Sequence, residues 1–294
     1  MSEDELLAQR FEDERSRLRG VAYRMLGSLA DADDAVQEAW LRLSRTDAAG
    51  IENLGGWLTT VVARVCLDAL RARRTRREEP LETQEPAPDA APVAPAAAPD
   101  PEQERRLANS VGLALLVVLE TLSPAERLAF VLHDLFAVPF EEIAPIVGRS
   151  PDAARQLASR ARRRVQGAPA VDGAELGRRR DVVDAFLTAL RGGDLSALLA
   201  VLDPDLVVRT DFGPPGAPRE TRGAKTWAQG AMGFARLLAN VQPALVGGMP
   251  GLVLAPGGKL VRALVFEFAD RKITSIEIVS EAERLAGLEI AVLG

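Results

Sequence analysis

This chain of 294 residues is poor in the side chains that most often carry chemistry: one cysteine, one histidine and one tyrosine. The lone Cys66 excludes a disulfide framework and suits a reducing compartment. No uninterrupted apolar run approaches the roughly 18 residues of a membrane span. The opening MSEDELLAQRFEDE is acidic and offers no apolar signal core, so a cytoplasmic location is expected. Excess positive charge is also lacking. The net charge is −6, and the whole molecule does not advertise nucleic-acid binding. What is present is local: arginines gather at 71–77 and 155–164, while acids fill the first residues and a stretch near 80–101. The length accommodates two or three domains.

The most informative stretch is LSPAERLAFVLHDLFAVPFEEIAPIVGRSPDAARQLASRARRRV, residues 122–165. Ser123, Pro124 and Glu126 form a helix start with a capping box. Leu128, Val131, Leu132 and Leu135 follow at helical spacing. A shorter helix carries Ile143, Ile146 and Val147 inward and stops at Gly148; Pro145 should kink it. Ser150 and Pro151 start a third helix, whose apolar stripe is Ala154, Leu157, Ala158, Ala161 and Val165. Arg155, Gln156, Ser159, Arg160 and Arg163 lie off that stripe. Helices joined through a glycine turn, the last presenting Arg and Gln near its start, suit a helix-turn-helix in a major groove. An ordinary surface helix with solvated arginines is the competing interpretation.

Upstream, Phe11, Leu18, Val21, Ala22, Met25 and Leu26 form one helical face, and Ala35, Val36, Ala39, Trp40 and Leu43 another. Asp31 is placed to cap the second helix, with Asp33 and Asp34 in its first turn. Asp34 and Glu38 form an i, i+4 negative stripe that invites a basic partner. After Asn53 and Gly55-Gly56 a helix starts near Trp57, with Val61, Val62, Val65 and Leu70 inward. Arg71, Arg73, Arg74, Arg76 and Arg77 crowd its end beyond what capping requires, as in a phosphate-binding patch.

RMLGSLADADDAVQEAWLRL followed by NLGGWLTTVVARVCLDALRARRTRR resembles region 2 of the sigma-70 family of transcription initiation factors, and residues 122–165 resemble region 4. Retention of these two regions is similar to the extracytoplasmic-function (ECF) group. EEIAPIVGRSPDAARQLASRARRRV resembles its branch with a C-terminal SnoaL-like extension, often called SigJ-like or ECF41-like. The resemblance implies a multidomain chain: an all-α region 2 bundle at 1–79, a Pro/Ala-rich linker at 80–101, an all-α region 4 helix-turn-helix at 102–167, and an α+β SnoaL-like cone fold at 175–294. It implies core RNA polymerase (its beta and beta-prime subunits) and promoter DNA as partners, and no cofactor, metal or membrane. By resemblance, Asp31, Asp34, Glu38 and Trp40 meet the polymerase. Asn53, Trp57, Arg64, Arg71, Arg73 and Arg74 meet the −10 element. Arg149, Ser150, Asp152, Arg155, Gln156, Ser159 and Arg160 meet the −35 element.

The linker PLETQEPAPDAAPVAPAAAPDP has no apolar period and is expected to be extended, reaching roughly 60 Å. That matches promoter elements some seventeen base pairs apart at about 3.4 Å per step. It lacks the branch's Trp-Leu-Pro-Glu-Pro motif. In the last segment, helices are expected at 178–190, 195–202 and 226–238, and strands at 206–211, 251–255, 260–268 and 272–279, with Asp203-Pro204-Asp205 a break. This order resembles the cone fold of polyketide cyclases and ketosteroid isomerases. His133 and Tyr23 both lie outside this segment, which argues against acid–base catalysis in it. Of the branch's DGGGK signature only Asp211 and Gly213 remain, and its closing Asn-Pro-Asp-Lys-Leu is not evident around SEAERLAGL. Two other readings stay open: a ligand-sensing helix-turn-helix regulator that binds duplex DNA unaided, and a cone-fold enzyme with a DNA-binding appendage.

Overall fold

The computed structural model describes residues 3–46, 50–78, 112–211, 220–233, 238 and 240–293. The expected linker at 80–101 and residues 212–219 lie outside them. The chain divides into two compact units, one of residues 1–107 and 122–161, the other of 108–121 and 162–294.

The first unit is helical. Helices α1 (Glu3–Leu26), α2 (Leu29–Leu43) and α3 (Leu54–Glu78) pack pairwise into a bundle. The expected faces of α1 and α2 are buried, with Trp40 half-buried against Phe11, their rings 4.9 Å apart. On α3 the buried positions are Leu58, Val61, Val62, Ala63, Cys66 and Leu67, whereas Val65 and Leu70 are only half-buried. The helix also starts at Leu54, earlier than expected: the Asn53 side chain accepts from the Gly56 N–H at 3.0 Å and caps it. The cap of α2 also differs from expectation. Ser28, with extended backbone, accepts from the Asp31 N–H, so Asp31 is a first-turn acid and not the cap.

Helix α4 (Leu113–Thr121) belongs to the second unit. In the first, α5 (Pro124–Phe130) opens with the expected capping box. It runs into a π turn at Val131–Leu135, which inserts extra backbone and turns Leu135 outward, 37% exposed. The expected burial of Leu135 therefore fails. Helix α6 (Phe140–Val147) runs on through Pro145 and ends at Gly148, whose φ of 69° supplies the left-handed turn. Ser150 then caps α7 (Pro151–Gln166), and Ala154, Ala158, Ala161 and Val165 are buried as expected.

The second unit is α+β. Helices α8 (Gly173–Gly192) and α9 (Leu195–Val201) precede strands β1 (Leu202–Thr210) and β2 (Glu220–Arg222) and helix α10 (Ala224–Ala231). Strands β3 (Val241–Val246), β4 (Met249–Leu254), β5 (Arg262–Ala269) and β6 (Lys272–Val279) form an antiparallel meander; α11 (Ala282–Ala286) and β7 (Ile290–Ala291) end the chain. The sheet order is β2-β1-β6-β5-β4-β3-β7, with β1 and β6 parallel. Helix α9 ends at Val201, just ahead of Asp203-Pro204-Asp205 as expected, but β1 already starts at Leu202 and contains those residues; its pairing with β6 shifts register between Leu202 and Val207. Phe186 anchors the core at 0% exposure, facing Trp227 and Phe266 at ring distances of 5.9 and 5.3 Å. Its burial contributes roughly 1.5–3 kcal/mol. Helix α4 packs on β3, β7 and the 256–258 turn, and the Val292 N–H bonds the Val165 carbonyl at 2.8 Å.

Candidate polymerase and promoter interface

Helix α7 carries the clearest presentation of polar groups. Its alanines at 154, 158 and 161 are buried on one side, and Arg155, Gln156, Ser159 and Arg160 stand exposed on the other. The capping Ser150 leaves the first turn open at a helix N-terminus, where phosphate is favoured. Arg149 is exposed beside it. Arg155 is held in place twice: its Nη1 lies 2.7 Å from Asp152 Oδ1, and its guanidinium stacks over the Phe140 ring at 5.3 Å. Arg160 reaches Glu126 at 3.3 Å. Both guanidinium groups are therefore oriented by carboxylates, Asp152 and Glu126, on an otherwise open helix face.

On α3, Trp57, Arg64 and Arg71 recur every seven residues and so share one stripe, with Arg64 and Arg71 exposed. Arg74 is exposed one turn beyond Arg71. Two of the residues expected at the −10 element have structural employment. Asn53 caps α3. Arg73 turns towards α2, its Nη2 2.8 Å from Asp31 and its Nη1 donating to the Leu26 carbonyl at 3.3 Å. That pair joins one expected DNA contact to one expected polymerase contact and ties the helices of the bundle together. Along α2, Asp34 is exposed, Glu38 is paired with Arg42 at 2.8 Å, and Asp33 is paired with Arg19 at 2.7 Å. The negative stripe is thus less bare than the sequence suggests, with Asp34 its most accessible member.

One feature of this unit has no signal in the sequence. Helices α5 and α6 and the π turn pack on α1 and α3. Buried Arg127 donates through Nε to the Arg24 carbonyl at 3.0 Å, and the Arg24 guanidinium sits over the Phe136 ring at 5.2 Å. Burial lowers the Arg24 pKa from its ordinary value. Burial also pushes the Cys66 thiol up to about 12, despite the opposing pull of Arg127 and Arg73. Arg127 is separated from Arg24 by more than a hundred residues, and no periodicity could have paired them.

Residues 10–76 match the family model of sigma-70 region 2, and residues 112–165 that of sigma-70 region 4. Over 264 residues the chain is 41% identical to the ECF RNA polymerase sigma factor SigJ of Mycobacterium tuberculosis, covering 86% of this chain and 83% of that protein. The chain belongs to the ECF sigma factors of the sigma-70 family. The probable ECF sigma factor SigI of the same species is 38% identical over 211 residues, 72% of either chain. A crystal structure of SigJ from M. tuberculosis is 34% identical and covers 95% of this chain and 98% of that one, with a TM-score of 0.44. Within the sigma factor, α1–α3 fall in region 2 and α4–α7 in region 4. The region 4 match spans the boundary between the two compact units, since α4 packs with the C-terminal sheet. No helix among the described residues is long and apolar enough to cross a membrane.

Proposed function

We propose that this sigma factor joins core RNA polymerase in the cytoplasm, directs it to particular promoters and helps open them, acting without catalysis of its own. The observation that carries the reading is the order of the two sigma regions together with the exposed polar face of α7. Asp34, Glu38 and Trp40 on α2 meet the beta and beta-prime subunits. Trp57, Arg64, Arg71 and Arg74 on α3 hold the −10 element, where unpaired bases are captured. Arg155, Gln156, Ser159 and Arg160 read the −35 element, with Arg149 and the start of α7 on the phosphates. Asn53, Asp31 and Arg73 serve mainly to shape region 2.

The C-terminal domain, a SnoaL-like cone, modulates this activity. A sigma factor engaged at two promoter elements must spread regions 2 and 4 along DNA. The contact of Arg24 with Arg127 and Phe136 holds the two regions together, and so belongs to a closed form in equilibrium with the competent one. Tethering keeps the cone near α7 at an effective concentration around millimolar, so even weak contacts bias that equilibrium. Co-purification with core polymerase tests the reading. The intact chain should be retained, and a folded double variant, Asp34→Arg with Glu38→Arg, should not. Full retention of that variant would refute the assigned polymerase face.

A further inference from the structure

Arg155 stands on the open face of α7, yet the ring beneath its cation belongs to another helix. Phe140 is the first residue of α6 and only 8% exposed. The π turn holds this ring in place. His133 stacks on it, with ring centroids 3.8 Å apart and planes 27° from parallel. The His133 Nδ1–H donates to the Val138 carbonyl at 3.0 Å, since a carbonyl can only accept. Backbone bonds close the same turn: the Val138 N–H donates to the Leu132 carbonyl at 2.9 Å, and the Ala137 N–H to that of His133 at 3.0 Å.

Of the two groups that hold Arg155, the aromatic one leaves its hydrogen-bonding capacity untouched. A ring face attracts a cation through its quadrupole and consumes no N–H. Asp152 takes one hydrogen of Nη1. Among the described residues nothing else bonds Arg155, so Nε and Nη2 stay open, a pair of donors suited to two acceptors on a guanine edge. The Asp152 side chain is 86% exposed, and its pull is screened by water and salt. The Phe140 contact lies against the core and is screened less. An arginine has many rotamers, and order imposed before DNA arrives is not lost again on binding.

We propose, on the reading of α7 as the −35 helix, that Phe140 is a positioning residue for promoter readout. Its ring, braced by His133, presents Arg155 to one base pair of the −35 element and sets how sharply that pair is discriminated. Phe140 is itself buried and acts through Arg155.

The full chain is assembled with core polymerase, and binding is compared on promoters carrying each base pair in turn at every −35 position. Arg155→Ala identifies the position that Arg155 reads. At that position Phe140→Leu, which keeps an apolar side chain in the core, should lower discrimination about two- to fivefold. Phe140→Tyr keeps the ring and should retain it. Phe140→pentafluorophenylalanine keeps the shape of the ring but reverses the charge of its face, and should lower discrimination as leucine does without disturbing the fold. In the Arg155→Ala background neither change should lower it further. Full discrimination by the leucine or the fluorinated variant, or an equal loss of affinity for every base pair, would overturn the role of Phe140 while leaving Arg155 as the reader. If Arg155→Ala relaxes no −35 position, the readout and the role of Phe140 fall together.

Discussion

Replacing Phe136 by alanine should release the closed arrangement of regions 2 and 4. Phe136 follows the π turn and is half-buried, outside the apolar core of region 4, so its removal leaves the helix-turn-helix intact. Full burial of a phenylalanine contributes roughly 1.5–3 kcal/mol, and half of it about 1 kcal/mol. The stacked Arg24 guanidinium, 5.2 Å from the ring centroid and itself half-buried, adds about 1 kcal/mol. Together these amount to about 2 kcal/mol, a shift of roughly thirtyfold in the closed–open equilibrium. Fluorescent labels on Gln37→Cys in α2 and Glu141→Cys in α6 report the separation of the regions. Both positions are exposed, while Cys66 is buried, with its thiol pushed up to about 12, and stays unlabelled. Phe136→Ala should lengthen the distance between the labels and tighten binding to core polymerase. An unchanged distance, or weaker polymerase binding by a folded variant, would refute the closed-form argument.

Arg155→Ala should cost about 1–3 kcal/mol in promoter binding and relax preference at one −35 position, as read by competition among base substitutions. Arg64→Ala should instead weaken binding evenly across sequences and reduce the salt slope by about one; like behaviour of the two would abolish the division of labour. Arg73→Ala should leave the salt slope alone and lower stability by about 1–2 kcal/mol, through loss of the Asp31 pair and the Leu26 carbonyl contact. A denaturation cycle with Asp31→Ala measures that coupling, and an additive result would sever the pair. A chain ending at Val165 should transcribe poorly, because α4 loses the sheet it packs on, whereas one ending at Val279 loses only α11, β7 and the Val292 bond to Val165 and should gain activity. Equal transcription by both and by the full chain would reduce the cone to a passenger.

Much of this architecture was legible because local rules decide it. Ser123 with Glu126, Gly148 and the alanine stripe of α7 each specify a helix end or face within a few residues. The errors arise where a neighbour outranks a rule. Asp31 is the plausible cap in the sequence, but Ser28 takes that place, and the acid is used by Arg73, about one and a half turns from the end of α3. Leu135 kept helical spacing in sequence, yet the π turn rotated it outward. Strand β3 went unread because Pro243 and the Gly247-Gly248 pair look like loop. Pro243 is tolerated because β7 pairs only with Leu245 and Val246, leaving the proline on an open stretch of strand edge. The parallel β1–β6 pairing, the partition of α4 to the second unit and the Arg24–Arg127 contact join distant residues, where periodicity is silent.

The most direct test is transcription by purified core polymerase on genomic fragments, with and without this protein, mapping the start sites. Defined start sites should appear only when both are present, and should vanish when Asp34→Arg and Glu38→Arg are introduced together in a chain that still folds. Tight, sequence-specific binding of duplex DNA by the protein alone, with no new start sites on adding polymerase, would contradict the account.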